Sequence, residues 1–276
     1  MKRINLTLAI VTFASIAVTA QNAKFRVDQI VEVKANTSNN TTDTIVQNFN
    51  YVNGELTQVL FLRNNKPIDT LNYVYKNDTI TVTNQYGRME RSYILNELKV
   101  VKEYMNDACN KFTFTTANNK IKSVERFNKC EKYSEGNTFE YNGNSLSTVK
   151  TYAKTQPKIT TNYVFTYKKD KLLKIEWNQN VEVFTITWNG SKIKTIEHSR
   201  LGVTEWKDEF VYDDHGNVLE ETVYKIVKGK EYLANKYIIT YTENKGNDNL
   251  IWSTYHWKIN SFLNQRTYNK YIEIKY

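Results

Sequence analysis

Proline is almost missing from this chain: Pro67 and Pro157 are the only two in 276 residues. It is the residue that most readily interrupts a ladder of backbone hydrogen bonds, so little here prevents strands from pairing along their length. Sustained helical periodicity is missing too, because no segment keeps apolar residues at three- and four-residue spacing between recognisable caps. Cysteine is limited to Cys109 and Cys130, and histidine to His198, His215 and His256. Neither Cys-x-x-Cys nor His-Glu-x-x-His spacing occurs, so a zinc site lacks its local signature. The Gly-x-Ser-x-Gly elbow, the P-loop and the Rossmann glycine pattern are absent, which removes the motif-based routes to serine hydrolysis and nucleotide chemistry. No cofactor is implied.

The start of the chain has its own character. Met1-Lys2-Arg3 is basic, residues 4–18 are mostly apolar, and Val18-Thr19-Ala20 places compact residues before Gln21. That order predicts a secretory signal peptide over residues 1–20, cut after Ala20. The apolar run is interrupted by Asn5 and Thr12 and falls short of the ~20 residues that span a bilayer. No comparable run follows, so no transmembrane anchor is expected. The mature protein is expected to be secreted or periplasmic, with residues 21–276 forming one domain without linkers.

Export makes a disulfide permissible. Cys109 and Cys130 lie just beyond the ends of a hairpin expected from strands near 111–115 and 121–127. A bridge there would contribute about 3 kcal/mol; two free buried thiols are the alternative. Losing Lys2 and Arg3 with the signal lowers the formal net charge from +9 to +7. A basic surface can attract anionic partners. The lysines, however, are spread one or two per strand with acids close behind, as on a solvated sheet face where lysine also discourages edge pairing. Nucleic acid is not an expected partner.

What the chain has in quantity is aromatic residues in a recurring frame. Phe49-x-Tyr51 leads through a polar turn to Leu56 and Val59; Phe139-x-Tyr141 leads to Leu146 and Val149, Phe165-x-Tyr167 to Leu172 and Ile175, and Ile186-x-Trp188 to Ile193 and Ile196. Phe210-x-Tyr212, followed by Val218, belongs to the same set, as do Tyr93 with Leu98 and Val101, and Phe112-x-Phe114 with Ile121 and Val124. Tyr73-x-Tyr75 with Ile80, and Ile239-x-Tyr241 with Leu250, are weaker copies. The second aromatic falls at 51, 75, 93, 114, 141, 167, 188, 212 and 241, a period of about 24 residues, which marks a stacked repeat architecture. Each unit holds an alternating aromatic strand, a turn rich in Asn, Gly, Asp and Lys, and a return strand.

The three-residue spacing of Leu98, Val101 and Tyr104, of Ile121, Val124 and Phe127, and of Leu146, Val149 and Tyr152 fits neither an ideal strand nor a helix. A bulged strand accounts for it. The expected fold is all-β: an antiparallel meander of repeated hairpins forming a long curved or coiled sheet. Residues 36–43 and 242–249 read as its generous turns, and residues 268–276 as its last strand.

Tyr212-Asp213-Asp214-His215-Gly216-Asn217-Val218 resembles the core of the YD repeat, the Tyr-Asp-x-x-Gly-Asn-Leu signature of RHS-type surface and toxin-delivery proteins. The other units keep the aromatic, the turn and the aliphatic but lose the Asp and often the Gly. In that, and in its Asn-, Lys-, Ile- and Tyr-rich composition, the chain is similar to small secreted proteins of Bacteroidota carrying diverged repeats. The resemblance implies a meandering sheet that curls on itself; it implies no activity.

Candidate chemistry is sparse. Asp213, Asp214 and Asn217 carry oxygens suited to calcium, although such residues at a turn normally bond their own backbone. Asp208–Glu209 and Glu220–Glu221 are adjacent acids, and neighbours on a strand point to opposite faces, so neither pair alone supplies the facing carboxylates of a glycosidase. All five tryptophans lie beyond residue 176. Trp177 and Trp188 read as core, stacking across adjacent hairpins. Trp252, Tyr255, His256 and Trp257, with Trp206, read as an aromatic platform for sugar rings or a partner's apolar surface. The expected function is a non-catalytic exported binding or structural module of the envelope, with a glycan or an envelope protein as partner. A hydrolase acting on surface polysaccharide and a lipid or lipoprotein carrier are the alternatives.

Overall fold

The structure is a computed structural model that describes residues 25–243 apart from 37–40, 54, 96–100, 106–109, 118–119, 131–132, 144, 154–155, 170 and 179–180, together with 251–252 and 274–275. Every regular element among the described residues is a strand. In chain order they are β1 (Phe25–Asn36), β2 (Thr41–Val52), β3 (Glu55–Arg63), β4 (Lys66–Lys76), β5 (Thr79–Thr83), β6 (Met89–Leu95), β7 (Val101–Met105), β8 (Asn110–Ala117) and β9 (Lys120–Asn128). There follow β10 (Tyr133–Asn142), β11 (Ser145–Ala153), β12 (Gln156–Lys168), β13 (Lys171–Trp177), β14 (Glu182–Asn189), β15 (Lys192–Arg200), β16 (Val203–Tyr212), β17 (Val218–Val227) and β18 (Lys230–Glu243). The chain ends with β19 (Ile251–Trp252) and β20 (Ile274–Lys275).

The first eighteen strands form one antiparallel sheet in chain order, as the repeat predicts. Its ends meet: β1 pairs with β2 on one side and with β18 on the other. Each of the eighteen therefore has a hydrogen-bonded neighbour on both sides. β20 pairs with β19 in a separate two-stranded sheet, so the stretch expected to end the meander is not part of it.

The three-residue spacing is a bulge, as expected. In β2–β3, Asn50 stands opposite Gln58 and Tyr51 opposite Leu56, which leaves Thr57 without a counterpart. The same slip sets Tyr141 against Leu146, Tyr167 against Leu172, Trp188 against Ile193 and Tyr212 against Val218. An extra residue returns the following aliphatic to the inward face, which is why Leu56 and Val59, or Leu172 and Ile175, are both buried although three apart. The register also re-reads two units. Tyr93 and Phe114 stand opposite Tyr104 and Val124, in the place of Phe49 opposite Val59, while Leu95 and Thr116 take the second aromatic's place.

The ninth unit is split between the chain's ends. Tyr241 of β18 stands opposite Val27, the ladder slips past Asp28, and Ile239 meets Ile30. Val27-x-x-Ile30 is thus the return strand of that unit, in the place of Leu56-x-x-Val59. Leu250, which the sequence offered for the position, lies outside the described residues.

Units are clamped to one another through the second aromatic. Tyr51 Oη donates to Val27 O (3.0 Å), Tyr75 Oη to Leu56 O (3.0 Å), Trp188 Nε1 to Leu172 O (2.8 Å) and Tyr241 Oη to Val218 O (2.8 Å). Tyr212 also hydrogen-bonds the backbone of Ile193, the corresponding residue of its own preceding unit. Each acceptor is the first aliphatic of the preceding unit, so the aromatic buries its ring while its polar tip satisfies a carbonyl. Lys171 and Lys192 lie over the rings of Trp188 and Tyr212, 5.6 and 5.4 Å from the centroids. They close the same joint from the turn side.

Inward residues form one contiguous apolar cluster drawn from almost every strand. A circular ring of so many strands would enclose water; here Leu56, Val82, Tyr93 and Leu172 are fully buried, so the interior is filled by side chains. Outward positions of β14 to β18 include Thr185, Thr187 and Lys194, the pair Lys207–Glu209 (2.7 Å) and the pair Lys236–Glu220 (2.8 Å). No helix among the described residues is long and apolar enough to cross a membrane.

The YD-like turn is self-contained. Asn217 N and Nδ2 donate to the Asp213 carboxylate at 2.7 and 2.8 Å, and Gly216 adopts φ 87°. Asp213 therefore serves its own turn, the backbone role weighed above against calcium. Cys130 is disulfide-bonded; Cys109, the chain's other cysteine, lies outside the described residues.

Two outcomes follow from these contacts. Leu201, 74% exposed, holds φ 49° in the turn before β16, a conformation costing an L side chain about 1–2 kcal/mol. Leu201→Asn should raise the thermal midpoint by about 2–4 °C, and an unchanged or lower midpoint in calorimetry counts against strain there. Burial pushes the Tyr141, Tyr167, Tyr212 and Tyr241 hydroxyls well above their ordinary 10.0. Because the folded value is the raised one, stability is intact below pH ~10 and falls above it as the unfolded chain sheds protons first. Urea midpoints taken across that range, with tyrosinate absorbance, should show the loss beginning there.

Candidate functional site

Alternation along each strand decides which side chains face inward. At the rim where successive units are joined, the inward positions of β13 to β17 bring together two rows. Trp177 stands opposite Glu182, and Glu182 opposite Arg200. One step deeper, Phe184, His198, Trp206 and Lys225 follow one another across β14, β15, β16 and β17. Trp177 and Trp206 are half-buried against the core, leaving part of each ring open at the rim.

The contacts within this group are specific. Phe184 and His198 stack with centroids 4.6 Å apart and planes 9° from parallel. His198 Nε2 lies 3.6 Å from Glu182 Oε2, and the stack holds the imidazole toward that carboxylate. Lys225 Nζ sits 5.9 Å above the Trp206 ring, and Trp177 packs at 6.4 Å on Tyr163. Partly open indole faces beside a carboxylate, an imidazole and two cations can stack an apolar ring face and hydrogen-bond its polar edge.

Beneath the rim the interior turns polar. Asp208 is 1% exposed and Glu221 is 0% exposed, on neighbouring strands, with Asp208 opposite Val223 and Glu221 opposite Phe210. They are the inward members of the two adjacent acid pairs in the sequence. Tyr237 stands opposite both Glu221 and Glu32. Its hydroxyl donates to Glu32, and Asn235 Nδ2 donates to that hydroxyl at 2.9 Å. Burial first, then the bond to Glu32 and the nearby Glu32 and Glu221, pushes the Tyr237 hydroxyl far above its ordinary range.

Of the residues singled out from sequence, the structure describes Trp206 and places it in this rim group. Trp252 falls in β19, while Tyr255, His256 and Trp257 lie outside the described residues. Trp177 and Trp188 are half-buried edges of the core rather than its centre. Glu182, Phe184, His198 and Lys225 were not singled out, because no spacing within one strand links them; only the register does. Glu221 did leave a signal. It occupies the place held by Ile30, Val59, Val124, Val149, Ile175 and Ile196 in units sharing the bulge.

No protein-family model matches the chain, and no curated protein matches it by sequence. Among solved structures, a porin-like protein from Bacteroides uniformis is similar at TM-score 0.45 and 13% identity, covering 79% of this chain and 98% of that one. A porin-like protein from Bacteroides vulgatus reaches TM-score 0.37 at 10% identity over 79% and 98% of the two chains. The TcdB2-TccC3-Cdc42 structure gives TM-score 0.23 at 10% identity, covering 72% of this chain and 15% of that one. Overlaps at this level carry no inference about family or activity.

Glu221→Ile restores the residue type of the equivalent positions. Replacing a buried ionisable group by a well-packed aliphatic one is expected to stabilise by about 1–4 kcal/mol. The urea midpoint should rise at unchanged slope; a drop would show that the carboxyl is required by the fold.

Proposed function

We propose that the protein is a non-catalytic, exported binding module of the cell envelope that holds a glycan at the rim formed by β13 to β17. The observation that carries this reading is the pairing of two half-buried indoles, Trp177 and Trp206, with the polar set Glu182, His198 and Lys225 on one inward edge. Pyranose rings offer an apolar face that stacks on indole and hydroxyls that reach a carboxylate or imidazole. Export is supported by the basic, apolar and small-residue order of residues 1–20. The hydrolase alternative loses ground, because Asp208 and Glu221 share a face yet are sealed from solvent, beyond the reach of a polymer.

A glycan array with the mature protein, followed by calorimetry on the best oligosaccharide, tests the reading. Trp206→Ala and Trp177→Ala should each weaken binding at least tenfold, about 1.4 kcal/mol, with near-native circular dichroism. Affinity unchanged in both variants removes the rim as the site.

A further inference from the structure

In eight of the nine hairpins the two strands follow one another directly in the chain. In the ninth, β18 and β1 are joined by nothing but the seam itself. We propose that this seam is an interaction surface for a second copy of the chain, whose β1 can take the place of the resident one. The inference does not depend on the glycan reading.

The seam is selective because of what β1 brings to it. Inward, Val27 meets Tyr241, Ile30 meets Ile239, and Glu32 meets Tyr237, where it accepts the Tyr237 hydroxyl and lies 3.4 Å from Asn235 Nδ2. Tyr51 donates to the Val27 carbonyl from the other side. Outward, Gln29 Nε2 donates to Asn48 Oδ1 at 2.8 Å, and Asp28 accepts from Thr242. Val31 lies between Ile238 and Val46, and Val46 stands opposite Leu62, an outward apolar row across the seam. A foreign strand lacking Val27, Ile30 and Glu32 at these intervals would not supply the carboxylate to which Tyr237 donates. A second copy's β1 supplies every one of these groups.

Withdrawal of β1 would bare the facing edges of β2 and β18, and unpaired edges are templates for another strand. Exchange of identical elements heals them without any new kind of contact. The exchanged and resident seams are then chemically the same, so concentration decides between them.

Two chains, each with one cysteine added to the native Cys109 and Cys130, make the test. Val31→Cys in one copy and Ile238→Cys in another put thiols on register partners that face each other across one seam. Refolded together at high concentration, the two should yield a disulfide-linked heterodimer on non-reducing gels at least fivefold above the yield from chains folded separately and then mixed. Val31→Cys refolded with Val164→Cys, an exposed outward site on β12, reports random collision and should stay at background. Equal yields in the co-refolded, separately folded and Val164→Cys arms overturn the proposal. So does a wild-type chain that remains monomeric by light scattering at every refolding concentration.

Discussion

The bulge that follows the second aromatic in every unit but that of Tyr75 is the constraint on which the rest depends. Without the extra residue at Thr57 and its equivalents, the following Val or Ile would swing to the solvent face, since side chains alternate strictly along a strand. With it, two aliphatics three apart both face inward, and the aromatic is left aligned with the carbonyl it clamps on the preceding unit. One local irregularity thus joins hairpin formation to hairpin stacking. Its periodic recurrence turns a list of two-stranded ribbons into one continuous sheet.

Closure follows from the same geometry. Tyr51 needs a carbonyl on its preceding neighbour, and Val27 of β1 supplies it, exactly as Leu56 does for Tyr75. The first strand is therefore the second half of a unit that β18 begins. A sheet with no free edge also avoids exposing unpaired donors and acceptors to other chains. The lysines on outward positions serve as partners of Glu209, Glu220 and Glu231 rather than as guards of an open edge.

The interior is not uniform, and that is where the chemistry concentrates. Over most of the ring the inward places hold Leu, Ile, Val, Phe and Tyr, while between β14 and β1 they also hold His198, Asp208, Glu221, Asn235, Tyr237 and Glu32. Burying ionisable groups is expensive unless they are paired or hydrogen-bonded. The Tyr237, Asn235 and Glu32 bonds show how part of that burden is met. The rim group above them combines two indole surfaces with a carboxylate, an imidazole and two cations.

The meander, the roughly 24-residue unit, the bulge and the turns were legible in the residues themselves, because aromatic alternation, aliphatic spacing and Asn-Gly turn chemistry act over a few neighbours. Even the split unit had its trace in Val27-x-x-Ile30, and the acid at 221 stood where related units carry Val or Ile. What only the tertiary structure decided was which strands became neighbours across the ends of the chain, and therefore which of Glu182, Phe184, His198, Trp206 and Lys225 shared one edge. Those proximities arise from register between separate strands and from closure between residues more than 200 apart, and neither leaves a period in the sequence.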